Sequence, residues 1–143
     1  LRDIVVQGMA RLYSSMSKAV ESNPPGSNAR IAALGRAYID FARHEPGVFR
    51  MMFSLAKANA GDEELTAAGD AANSLVERVV SEHLNIPLES PETSLRAYAL
   101  WCFVHGHCFL MLDGKVEPQL TLEEENSLLA LVGAAMLPPR PPN

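Results

Sequence analysis

Positive charge is in short supply. Twelve Lys and Arg stand against seventeen Asp and Glu, leaving a formal net charge of −5 over 143 residues. Sequence-independent affinity for nucleic acid comes from cations that neutralise phosphates, so these residues do not bind DNA or RNA unaided. Cysteine is nearly absent. The two present, Cys102 and Cys108, lie six apart in an apolar stretch that reads as one helix, where they point to different faces and form no intrachain disulfide. That suits a reducing cytoplasm, and the start of the chain carries neither an initiator Met nor a basic-then-apolar leader, so the expectation is a cytoplasmic fragment whose beginning is missing. The apolar run from Tyr98 to Leu112 contains two histidines and is too short to span a bilayer easily.

Catalytic signatures are missing too. There is no Glu-x-x-His pair, no glycine-rich phosphate loop and no nucleophile with its base. Cys102, His105, His107 and Cys108 crowd together, but on a helix His105 and His107 point roughly 200° apart, and no third or fourth ligand is evident, so neither a metal nor any other cofactor is expected. The run Glu123-Glu124-Glu125 opens a helix, where carboxylates oppose the macrodipole, and reads as a solvated cap. Arg96 and Asp70 interrupt apolar patterns and are candidates for an inter-helix or inter-subunit pair.

What the chain has is apolar residues, 48 % of the total, enough for one sizeable core. No stretch alternates as a strand would, and helical spacing dominates, so the fold class is all-α, with about six helices, five to seven. Ile4, Val5, Met9, Leu12, Tyr13, Met16 and Val20 form one stripe, giving a helix over roughly residues 2 to 22 that Asn23-Pro24-Pro25-Gly26 stops. Ser27 or Asn28 caps a second helix with Ile31, Leu34, Tyr38 and Phe41 inward, ended by Pro46-Gly47, and a short third carries Phe49, Met52, Phe53 and Ala56. After a loop at Asn59-Ala60-Gly61, Asp62 caps a fourth, which Asn85-Ile86-Pro87 ends. Ser90-Pro91 opens a fifth, and Thr121 with Glu124 forms a capping box for a sixth. The domain spans residues 1–137, and the proline-rich 138–143 is an extended, mobile tail.

The fifth helix is apolar on every side and is expected to be buried on every side. Projection puts Tyr98, Trp101, Cys102, His105 and Phe109 on one face and Arg96, Ala99, Phe103, Gly106 and Leu110 roughly opposite. The first face serves the protein's own core. The second, joined by Leu128, Leu131 and Ala135 of the sixth helix, suits a four-helix seam with a second copy, though periodicity alone leaves open a monomeric bundle. Met9, Leu12, Tyr13, Tyr38, Phe41, Met52, Leu75, Val76, Trp101, His105 and Phe109 are bulky, adaptable side chains drawn from five helices, and as a group they are the candidates to line an apolar ligand pocket. For each the alternative is an ordinary place in the core. His105 is the best polar candidate, with Tyr98 or Tyr38 to assist it.

The segment from Ala37 to Phe53, an aromatic-rich helix, a proline break and a short Met/Phe helix, resembles the middle of many TetR-type regulators. Trp101-x-x-x-His105-Gly106 resembles the Trp…His-Gly signature of one class of their C-terminal domains, and the likeness spans nearly the whole chain. The resemblance implies a preceding three-helix DNA-binding domain, absent here, through which alone operator DNA is touched. It also implies a homodimer formed through the last long helices, and a small hydrophobic effector whose binding releases a repressor from DNA. A stand-alone helical dimerisation module without ligand is the alternative.

Overall fold

A computed structural model describes residues 2–58 and 61–139. The regular structure among them is helical: α1 (Arg2–Glu21), α2 (Asn28–His44), α3 (Pro46–Ala58), α4 (Glu63–Leu84), α5 (Pro91–Leu112) and α6 (Leu122–Met136). The expected all-α class is what the chain adopts. Asn59 and Ala60 of the expected loop, and Arg140 to Asn143 of the expected tail, lie outside the described residues.

The helix starts follow from side chains that accept otherwise orphaned backbone N–H groups. Ser27 accepts from Arg30, Asp62 from Glu64 and Leu65, and Ser90 from Glu92, with Pro91 in the first turn. Thr121 and Glu124 cap each other's backbone reciprocally. Asn85 ends α4 in the left-handed region at φ 54°, which Asn tolerates better than most residues. Burial then fixes the arrangement. α1 buries Val5, Gly8, Leu12, Met16 and Val20 along one stripe, and α2 is the hub, packing against α1, α3, α5 and α6.

Gly8 shows how closely α1 approaches its neighbours. A Cβ placed there would run into the Val48 side chain at the start of α3. In an exposed helix Gly→Ala would stabilise by about 1 kcal/mol. Here overpacking costs about 1–3 kcal/mol, so G8A should fail to stabilise and should lower the urea midpoint. A raised midpoint would show that this approach is slack.

α5 departs from expectation. It packs on α2, α4 and α6 and buries Thr93, Ala97, Val104 and Cys108, yet Leu95 is 69 % exposed and Tyr98 58 % exposed. Burial on every side does not hold within one protomer. The helix also starts well before the Tyr98–Leu112 run, and over its 22 residues it is long and apolar enough to cross a membrane by length and composition. Its contacts are those of a core helix along one side. Burial, with Glu125 nearby, pushes the Cys108 thiol up to about 12, while Cys102 lies exposed.

Candidate functional site

All six helices contribute to an apolar cavity of about 480 Å³, within the roughly 300–1,000 Å³ of small-molecule sites. Met9, Leu12 and Met16 of α1 face Ile31, Leu34, Gly35 and Tyr38 of α2. Met52 and Phe53 come from α3, Ala97, Leu100, Trp101, Phe103 and Val104 from α5, and Leu129, Val132 and Gly133 from α6. α4 supplies Leu65, Ala68, Gly69, Ala72 and Val76, and among them Thr66, Asp70 and Asn73. The cavity exists because large side chains on α1, α2 and α5 face small ones, Ala68, Gly69 and Ala72, on α4.

Of the residues picked from the sequence as pocket candidates, Met9, Leu12, Tyr38, Met52, Val76 and Trp101 line this space. The others lie elsewhere. Tyr13 is 37 % exposed, on the side of α1 turned from the core. Phe41 and Leu75 are buried in the core without reaching the cavity. His105 and Phe109 sit one layer behind it in an aromatic cluster whose hub is the fully buried Phe49. Phe49 meets Tyr38 edge-on at 5.6 Å, Phe53 at 5.2 Å and Phe109 at 5.2 Å, and Phe53 meets His105 at 4.3 Å.

His105 nevertheless touches the site through Tyr38, whose hydroxyl lies 3.4 Å from His105 Nδ1 and accepts from Trp101 Nε1 at 3.3 Å. Burial lowers the His105 pKa, and burial raises that of the Tyr38 phenol against the opposing Trp101 hydrogen bond. Both groups are therefore neutral at pH 7. We assign the Tyr38 O–H as donor to Nδ1, which places the imidazole proton on Nε2.

Little in the residue pattern pointed to the polar strip on α4 or to the Leu100, Phe103, Leu129 and Val132 walls. Thr66, Asp70 and Asn73 sit at helical spacing on the face that also carries Gly69 and Val76, and this interruption of an apolar face was their only signal. Within one protomer Asp70 and Arg96 do not pair. Arg96 bonds Glu92 on its own helix and the Met136 carbonyl of α6, whereas Asp70 has no hydrogen-bond or ion-pair partner among the described residues.

Glu125 is a further correction. It is no solvated cap but 2 % exposed, at the point where α6 crosses α2. Arg43 donates to both its oxygens at 2.8 and 2.9 Å, His107 Nε2 lies 2.8 Å away, and Arg36 also pairs with it. Burial alone would raise its pKa, but the bonds from Arg36, His107 and Arg43 outweigh it and hold the carboxyl down to about 2. Glu123 and Glu124 are exposed as expected.

The outer surface of α5 and α6 is the second notable region. Leu95, Tyr98, Trp101, Cys102 and Leu110 of α5 are exposed, and so are Leu131, Ala134 and Ala135 of α6. The outward face of α5 is thus turned by roughly 90° from the projected one, at 3.6 residues per turn, and Tyr98, Trp101 and Cys102, projected onto the core face, lie on it. Leu110, Leu131 and Ala135 of the seam candidates lie on it, and Gly106 has open space where a side chain would project. Ala99 and Leu128 are half-buried at its edge. Arg96 is held against the end of α6, and Phe103 lines the cavity and stacks on His107 at 6.1 Å, so both face inward. α6 covers that flank of α5.

Six helices around an apolar hollow, with an uncovered apolar face on the last two, define an all-helical domain of the kind found behind the DNA-reading heads of one-component regulators. The profile described as "Tetracyclin repressor-like, C-terminal domain" matches residues 31–135, and the chain belongs to that family, which is regulatory and not enzymatic. No curated protein matches. Among solved structures, a protein of unknown function from Rhodococcus sp. RHA1 is similar with a TM-score of 0.80 at 22 % identity, covering 94 % of this chain and 70 % of that one. At that identity the likeness concerns the fold alone, and it extends the match to α1.

Proposed function

We propose that this chain is the effector-sensing and dimerisation domain of a TetR-family transcriptional regulator, a repressor released by a small hydrophobic ligand. The observation that carries the reading is the cavity: a 480 Å³ apolar hollow walled by every helix is space that a purely structural core would close. Trp101 lines that hollow while 42 % exposed on the outward face, so a ligand against it is one side chain away from a partner subunit. Two copies pair through α5 and α6 as a homodimer, operator DNA is read by a helix-turn-helix outside these residues, and the setting is cytoplasmic. The coupling is a population shift, in which effector favours a protomer arrangement whose reading heads no longer match successive major grooves.

The test is binding of a neutral apolar fluorophore, N-phenyl-1-naphthylamine, followed through Trp101, the one tryptophan in the chain. Saturable binding with Trp101 quenching is expected, weakened more than about tenfold by A72F, which puts a ring into the hollow from α4. Absence of saturable binding, or binding indifferent to A72F, would leave the helical dimerisation module as the better reading.

A further inference from the structure

Resting on the cavity as a ligand site, we infer that it takes a lipophilic amine, an apolar body ending in a protonated amino group, and rejects carboxylates. The apolar end of the site is soft. Met9, Met16 and Met52 line it with flexible thioethers that mould to varied hydrocarbon shapes.

The polar end decides the charge. Among the described residues lining the cavity there is no Lys, Arg or His, and Asp70 is the one charged group. Asp70 has no cation paired with it among the described residues, and it is exposed at the rim with Asn73 one turn further along α4. Next to them Glu77 is bonded only to neutral donors, Asn73 Nδ2 at 2.6 Å and Ser94 Oγ at 3.2 Å. The field at the rim is therefore negative, and an entering carboxylate would be repelled with no cation to receive it.

The hydrogen-bonding inventory points the same way. The Tyr38 O–H is engaged with His105 and the Trp101 N–H with Tyr38. An ionised carboxylate can only accept, so Asn73 turns its donor Nδ2 to Glu77 and keeps Oδ1 free. The acceptors left for a ligand are the Asp70 carboxylate and the Asn73 oxygen, with the remaining lone pair of the Tyr38 oxygen deeper in, while the donors left, the Thr66 hydroxyl and the second Nδ2–H of Asn73, are neutral. An ammonium brings donors and positive charge, which suits the one charged member of this set and its acceptors.

Three decyl compounds differing only in the head group, decylammonium, decanol and decanoate, separate charge from apolar burial when titrated against the 143-residue chain with Trp101 emission as the signal. Decylammonium should bind most tightly, decanol more weakly, and decanoate weakest. Asp70→Asn should weaken decylammonium about fivefold, the size expected of a partly solvated charged contact, while leaving decanol unchanged. Decanoate binding as tightly as decylammonium, or an ammonium affinity unmoved by D70N, would overturn the amine assignment and leave the cavity standing. Failure of all three to bind would overturn the cavity reading with it. Asp70 is exposed on α4 and has no hydrogen-bond partner among the described residues, so D70N is expected to fold, and an unchanged decanol titration confirms that it has.

Discussion

Replacing Leu131 with arginine is expected to separate the protomers, raising the dimer Kd at least about a hundredfold. Leu131 is 68 % exposed in the single subunit, so its side chain does little for the fold of its own chain. In a two-fold pairing through α5 and α6 it is buried, and the symmetry places its twin on the same seam. An arginine there would lose its hydration, lack an acidic partner among the exposed Leu95, Tyr98, Leu110, Ala134 and Ala135, and face a second arginine across the axis. Sedimentation equilibrium reads the change directly. Leu88→Arg is the control, since Leu88 is 45 % exposed in the turn between α4 and α5 and belongs to neither seam helix, and it should leave the Kd unchanged. Equal effects of L131R and L88R, or none from either, would show that the apolar face is not where copies meet.

The second large effect concerns Glu125. Its carboxylate receives Arg36, Arg43 and His107 at once, joining α6 to α2 and α5, and Glu125→Leu would leave three donors facing a hydrocarbon. Removing one member of a buried ionic cluster costs about 3–5 kcal/mol. Because Arg43 is partly exposed and recovers water, we expect about 3 kcal/mol, equivalent to a fall of roughly 10 °C in Tm for a chain of this size. The pH dependence carries the same signature. With its folded pKa near 2 and an ordinary value of 4.5, Glu125 is ionised in the folded state where the unfolded chain already takes up a proton. Its stabilisation is complete above about pH 4.5 and is lost as pH falls towards 2. E125Q should flatten the urea-derived stability curve in that interval relative to wild type. A wild-type curve that E125Q merely displaces, with the same slope between pH 4.5 and 2, would contradict the assignment.

How much of this was readable beforehand depended on whether a residue's signal was local. Helix starts were, because Ser27, Asp62, Ser90-Pro91 and Thr121 with Glu124 satisfy the backbone within three residues of themselves, and the structure puts a helix behind each. The rotation of α5 was not. When Leu95, Tyr98, Leu100 and Phe103 are all apolar, periodicity carries no phase, and only the packing of α4 and α6 decides that Leu95 faces out and Phe103 in.

Glu125 failed for the opposite reason: its local signal was clear and misleading. Three acids at a helix start suit the macrodipole, but the third turns inward, where the partners that make its burial tolerable come from positions 36 and 43, far back in the chain. The cavity was legible in its large residues and illegible in its small and polar ones. Met9, Tyr38 and Trp101 announce themselves by bulk, whereas Gly69, Asp70 and Asn73 acquire meaning only once α4 stands opposite them.

The central claim is that α5 is shared, its inner flank walling a ligand cavity and its outer flank meeting a twin. Light scattering on the unmodified chain at micromolar concentration tests the outer half of that claim most directly, because Leu95, Tyr98 and Leu131 are left exposed by the described residues of their own chain. A mass of twice 15.5 kDa is predicted; a single-chain mass that persists as concentration rises would contradict it.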